Sequence, residues 1–204
     1  MLIGIDFDNT IVCYDQAIKV LASEFFNLPI GIARTKLGVR NYLRSTGQNG
    51  AWTEFQGLLY GPGMHYAQTF EGVITTLHEL AQKGHRMVIV SHRSRRPYAG
   101  PDFDLHAAAI DWVKNHLQSV GLFLDDTLGS HVNFLETRDE KISKIVNLRC
   151  DVFIDDLPEV LDAPNFPRDT VGIHFEPGAT QLKKDGRIRL LHWSSLPYLL
   201  TNLR

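Results

Sequence analysis

Two carboxylates and a hydroxyl stand close together at the start of the chain, as Asp6, Asp8 and Thr10 in the run Asp6-Phe7-Asp8-Asn9-Thr10. This spacing suits phosphoryl transfer. One carboxylate can attack phosphorus and form an aspartyl-phosphate. The other can protonate the leaving oxygen and then take a proton from the attacking water. A loose phosphoryl transition state depends on positioning and charge stabilisation, so a divalent cation and a lysine are expected nearby. The same five residues also read as a strand running into a polar Asx turn, because Asp, Asn and Thr all favour turns.

The elements around these residues sharpen the choice. Leu2-Ile3-Gly4-Ile5 is a short apolar run, read as a buried strand that delivers Asp6 at its carboxyl end. Ligands bind at such ends in open α/β sheets. A second run, Met87-Val88-Ile89-Val90, ends at Ser91, with His92 and Arg93 following. A hydroxyl and a free N–H at a strand end can hold a phosphate oxygen, although a serine there can equally cap the next segment. A third run, Asp151-Val152-Phe153-Ile154, ends in Asp155-Asp156. Paired carboxylates at a strand tip can hold Mg²⁺, and acids also favour the start of a helix such as the one that would follow from Leu157.

Between the second and third runs, Thr137 or Asp139 can cap an amphipathic helix with Ile142, Ile145 and Val146 on one face. Lys141 then falls near its first turn, where the helix dipole disfavours a cation, so an anionic neighbour is expected to hold it there. Lys144, one turn on, competes for the same role.

Taken together, the motifs DFDNT (6–10), VIVS (88–91), Lys141 and DVFIDD (151–156) resemble the haloacid dehalogenase-like (HAD) superfamily of aspartate-nucleophile phosphohydrolases, in that family's order. The resemblance covers about residues 1–160. TRDEK (137–141) followed by DVFIDD is also similar, on few residues, to the small deoxyribonucleotidase branch. The resemblance implies Asp6 as nucleophile, Asp8 as general acid/base, and Ser91 and Lys141 as ligands of the phosphoryl oxygens. It implies a Mg²⁺ site from Asp6, the backbone carbonyl of Asp8, and Asp156, with Asp155 beside them. Thr10 would support the turn after the first strand. Asp8 argues against carbon–halogen hydrolysis, whose leaving group needs no proton.

Charge counting also points to a metal. Asp6, Asp8, Asp155 and Asp156 would converge on one lysine. Two like charges ~4 Å apart repel by roughly 4 kcal/mol at an effective dielectric of about 20. Mg²⁺ would neutralise the cluster and polarise the phosphoryl group.

The chain has 204 residues, 44% hydrophobic and 22% charged, which suits one sizeable globular domain or one with a modest insertion. A formal net charge of −2 gives no reason to expect nucleic acid as a partner. No apolar run is long enough to span a membrane, and no signal peptide is visible. Cys13 and Cys150 are the only cysteines, which fits reduced thiols and a cytoplasmic location. The histidines show no zinc spacing.

Alternating strands and helices predict an α/β fold, a Rossmann-like three-layer parallel sheet with right-handed crossovers. Further helices are expected over 16–26, 71–83, 105–118 and 195–203, and further strands at Val132–Leu135 and Val171–Phe175. Residues 14–68, helical and interrupted by glycines, are too long for a simple loop. The family resemblance makes them a small helical cap inserted after the first strand, leaving 1–13 and 69–204 as the catalytic core. Phe25, Phe26, Tyr42, Trp52, Phe55 and Tyr60 either pack this cap or line a substrate pocket. His92, Arg93, Arg95 and Arg96 either bind a second anionic group of the substrate or form a solvated basic loop. The stretch from Lys183-Lys184 to Arg189 reads as a solvated hairpin.

The expected function is Mg²⁺-dependent hydrolysis of a small phosphomonoester, a nucleotide or sugar phosphate, by a monomer or homodimer. The alternatives are phosphoryl transfer to an acceptor other than water, and a non-catalytic protein that binds a phosphorylated ligand or partner.

Overall fold

The computed structural model describes residues 1–26, 28–124, 131–179 and 185–203. In chain order the strands and α-helices are β1 (Leu2–Ile5), β2 (Val12–Cys13), α1 (Asp15–Phe25), α2 (Lys36–Ser45), α3 (Asn49–Tyr60), β3 (Gln68–Thr69), α4 (Val73–Gln82), β4 (Arg86–His92), α5 (Leu105–His116), β5 (Val132–Leu135), α6 (Arg138–Leu148), β6 (Val152–Asp155), α7 (Pro158–Leu161), β7 (Val171–Phe175), β8 (Ile188–Leu190) and α8 (Leu196–Thr201). By packing, the chain divides into two compact units. One holds Met1–Val12, Thr69–His92 and Leu117–Arg204, and the other Cys13–Gln68 and Arg93–His116.

The first unit is built on a six-stranded sheet in the order β5-β4-β1-β6-β7-β8. Every pairing in it is parallel. From β1 the chain steps outward on one side to β4 and β5, then returns to β6 on the other side. Right-handed crossovers therefore put α4 on one face of the sheet and α6 and α7 on the other. On the α6–α7 face, Leu2, Val88, Val90 and Phe153 pack with Ile142, Ile145 and Val160. Gly4, paired with Phe153 in the ladder, makes this packing possible. A Cβ there would lie 2.4 Å from the Phe153 ring.

Helix α6 begins in a capping box. The Thr137 hydroxyl accepts from the Glu140 N–H, and the Glu140 carboxylate accepts from the Thr137 N–H. Thr137, not Asp139, is thus the cap. Ile142 and Ile145 are buried as expected, but Val146 is 44% exposed, because the sheet covers only a narrow stripe of the helix.

The second unit is helical. Trp52 and Phe55 are buried in it, with the Phe55 ring 5.2 Å from Phe26 and 5.9 Å from Trp52. Tyr60 packs edge-on against Tyr14. Phe25 is exposed. Residues 93–116, grouped with the core in the sequence reading, pack here instead. The physical reason lies in two glycines of 49–61. A Cβ on Gly57 would lie 2.9 Å from Pro97 Cβ, and one on Gly61 would lie 3.1 Å from Phe103 Cβ. The Trp112 indole also donates to the Ala67 carbonyl at 3.0 Å.

The basic segment before the C-terminus is not the solvated hairpin expected from the sequence. Lys183 and Lys184 lie outside the described residues, but Ile188–Leu190 form an edge strand and not a hairpin arm. Arg189 is withdrawn from solvent, its side chain only 4% exposed, and bonded to Glu176 and Asp185. Among the described residues, no helix is long and apolar enough to cross a membrane.

Candidate active site

Strands β1, β4 and β6 are neighbours, and the direction of winding reverses about β1. Their carboxyl ends meet at the switch point, where parallel sheets leave a crevice. Asp6 follows β1 directly, its N–H bonded to the Ile154 carbonyl at 2.9 Å. The chain then folds into a tight turn, with the Ile11 and Val12 N–H groups both donating to the Phe7 carbonyl. Asn9 takes the left-handed conformation there, φ 57°, which Asn tolerates better than most residues.

The Asp6 carboxylate is 3% exposed and accepts three side-chain hydrogen bonds. Lys141 Nζ is 2.6 Å from Oδ1. Ser91 Oγ donates to the same oxygen at 2.9 Å, and Thr10 Oγ donates to Oδ2 at 3.2 Å. A carboxylate so held is fixed in orientation. Thr10 is itself anchored through its carbonyl, which accepts from the buried Trp193 indole at 3.0 Å. Nothing in the sequence around Trp193 pointed to this role.

Lys141 is fully buried, and its Nζ also lies 2.7 Å from Asp155 Oδ2. Burial alone would lower the pKa of this lysine, but Asp6 and Asp155 outweigh it and hold the pKa well above the ordinary 10.5. The anionic neighbours expected from its place near the helix start are therefore these two carboxylates. Lys144, by contrast, is half-buried. Burial raises the Asp155 pKa, Lys141 pulls it back, and Asp6 raises it again. Asp155 Oδ1 accepts from the Leu157 N–H at 3.0 Å, so both of its oxygens have partners.

Asp6, Asp155 and Asp156 each offer a carboxylate oxygen, all within 4.8 Å of one another. One buried lysine leaves such a group short of positive charge. The donor set, all carboxylate oxygen, fits Mg²⁺, which takes one or two carboxylates and completes its shell with water and phosphate oxygens. Asp8 is half-buried and its carboxylate is not part of this group of three.

His92 is half-buried beside the cluster. Burial lowers its pKa, Lys141 lowers it further, and the charges of Asp6 and Asp8 oppose the shift. Arg93 follows β4 directly. It is 8% exposed, donates to the Tyr60 carbonyl at 3.3 Å and lies over the Tyr60 ring. Arg95 and Arg96 pair with Asp104 and Asp102.

No family model matches the chain, and no curated protein matches it. Solved structures do. A HAD family hydrolase from Deinococcus radiodurans, with bound phosphate and sodium, is 15% identical, with a TM-score of 0.59 over 98% of this chain and 95% of that one. A HAD hydrolase from Bacillus subtilis, bound to magnesium, is 12% identical, with a TM-score of 0.57 over 98% and 97%. Protein Tyrosine Kinase A of Mycobacterium tuberculosis is 15% identical, with a TM-score of 0.59 over 98% and 97%. At these identities the likeness establishes the fold, which is that of the haloacid dehalogenase-like hydrolases.

Proposed function

We propose that this haloacid dehalogenase-like chain is a Mg²⁺-dependent phosphomonoesterase acting on a small metabolite, a nucleotide or sugar phosphate. The observation that carries the reading is the buried Asp6 carboxylate, oriented by Lys141, Ser91 and Thr10 at the switch point of the sheet. Asp6 Oδ attacks phosphorus, the bond to the leaving oxygen breaks, and Asp8 gives that oxygen its proton. Asp8 then takes a proton from water as the water attacks the aspartyl-phosphate, which releases phosphate and restores Asp6. Ser91 and Lys141, which donate to Asp6 Oδ1, would donate to the oxygens of the transferring group in the reaction. Asp6 and Asp156, with Asp155 beside them, would hold Mg²⁺. When bound, the ion neutralises developing charge on the phosphoryl oxygens.

The test is phosphate release from a panel of phosphorylated metabolites and p-nitrophenyl phosphate, with Mg²⁺ or EDTA, by wild type and Asp6→Asn. Release that depends on Mg²⁺ and disappears in the variant supports the reading. Because one fold neighbour is named a kinase, each reaction is repeated with hydroxyl acceptors. Consumption of substrate only when an acceptor is present would favour transfer over hydrolysis. Folded protein that turns over nothing would favour a binding role.

A further inference from the structure

The chain beyond Asp156 contributes no residue to the reaction just described, yet β7 reaches back to it. His174 is the register partner of Asp155 in the β6–β7 ladder. Strand β6 stops at Asp155 because the Leu157 N–H turns back onto the Asp155 carboxylate. The carbonyl of Asp156 follows the end of β6 and is a backbone acceptor that a side-chain donor can serve. His174 supplies one, its Nε2 lying 3.1 Å from the Asp156 carbonyl oxygen. A carbonyl can only accept, so Nε2 carries the hydrogen and the tautomer is set. The ring is 7% exposed, which leaves it little freedom to turn away.

A framework of charge backs the ring. Nδ1 faces Glu176 Oε2 at 3.9 Å. That same Glu176 oxygen accepts from Arg189 Nε at 2.9 Å, and Arg189 is tied in turn to Asp185 at 2.6 Å. The edge strand β8 thus braces Glu176, and Glu176 confines His174 from the side away from Asp156.

We propose that His174 is a positioning residue for the metal site. It clamps the backbone of Asp156 so that the carboxylate is held in its ligating direction before the ion arrives. The inference rests on the reading of Asp156 as a Mg²⁺ ligand. Partners that orient ligating groups in this way are commonly worth about 10–100-fold in metal affinity.

The experiment is calorimetric titration of the full chain with Mg²⁺ alone, no substrate present. Wild type is compared with His174→Phe, His174→Asn and His174→Gln, each with a Mg²⁺-free melting curve. His174→Phe and His174→Asn are expected to weaken Mg²⁺ binding by about 10–100-fold. His174→Gln, whose amide nitrogen reaches the place of Nε2 and can donate to the same carbonyl, is expected to recover most of the affinity. A lowered melting temperature with an unchanged dissociation constant would make His174 a packing residue and overturn the proposal. Should His174→Phe fail to fold, the Asn and Gln variants decide alone, since equal affinities would overturn it. A wild type that binds no Mg²⁺, or binds it as well after Asp156→Asn, would instead overturn the reading of the metal site itself.

Discussion

Lys141 and Asp6, 135 positions apart in the chain, meet at 2.6 Å with both side chains withdrawn from water. Lys141 is shared with Asp155, so its loss would leave two buried carboxylates with no cation between them. Removing one partner of a buried ion pair costs roughly 3–5 kcal/mol. Lys141→Met is expected to lose stability on that order in urea melts without metal, and to regain part of it in millimolar Mg²⁺. A loss below about 1 kcal/mol, the value of an exposed pair, would mean that the carboxylates splay or take up protons at little cost.

Asp8 stands outside the three-carboxylate group and serves as the proposed proton carrier. Asp8→Asn should lower kcat by about 10²–10⁴, the usual range for acid–base help, with a melting temperature close to that of wild type. The fall should shrink for aryl phosphates whose leaving oxygen needs little protonation. Full turnover in the variant would remove Asp8 from the mechanism.

Gly4 lies two residues before Asp6, where an added Cβ would sit 2.4 Å from Phe153 Cδ2 and 3.0 Å from Cys150 Sγ. Both neighbours are buried, so neither can swing into solvent. Gly4→Ala is therefore expected to cost about 1–3 kcal/mol through overpacking. Chemical denaturation of the variant measures this directly, and a gain in stability would show that the β1–β6 contact has slack.

The acid limb of stability should carry a contribution from Asp185. A hydrogen bond from Arg189 holds its carboxyl well below the usual carboxylate range, with the Arg187 N–H and the charges of both arginines assisting. The folded pKa is below the unfolded one, so the stabilisation is present above the unfolded value of 3.8 and is lost as pH falls through the folded one. Asp185→Asn should therefore lose less stability than wild type when both are taken below pH ~4, in the range of an ordinary aspartate. Parallel acid limbs would show that the bonds to Arg189 persist in the unfolded chain.

Much of the site was legible because its residues are locally improbable. Carboxylates just past apolar strands, and a lysine where a helix repels cations, each needed a partner elsewhere, and the fold brings Asp6, Asp155 and Lys141 together. Strand Leu2–Ile5 was visible as a continuous apolar run, the mark of a strand buried on both faces, and Val132–Leu135 and Val171–Phe175 as short apolar stretches interrupted by Asn133 and His174. Strand β8 was hidden because its three residues alternate around Arg189, whose charge is cancelled by Glu176 and Asp185 from distant positions. The placement of 93–116 was hidden for a related reason. It depends on Gly57 and Gly61 leaving room for Pro97 and Phe103, a complementarity of shape that periodicity does not carry. His174 and Trp193 act through single hydrogen bonds to carbonyls far away in sequence, and side chains of that kind leave no pattern.

The indole of Trp193 gives the turn after β1 an optical signature. Its N–H is fixed to the Thr10 carbonyl, and Thr10 holds Asp6, so a shift of that turn alters the surroundings of a chromophore 1% exposed to water. The other two tryptophans, Trp52 and Trp112, belong to the helical unit. Replacing both with phenylalanine would leave a chain whose emission spectrum comes from Trp193 alone. Ligand arrival at Asp6 would then be readable in real time by stopped-flow fluorescence, without a label and before any product forms.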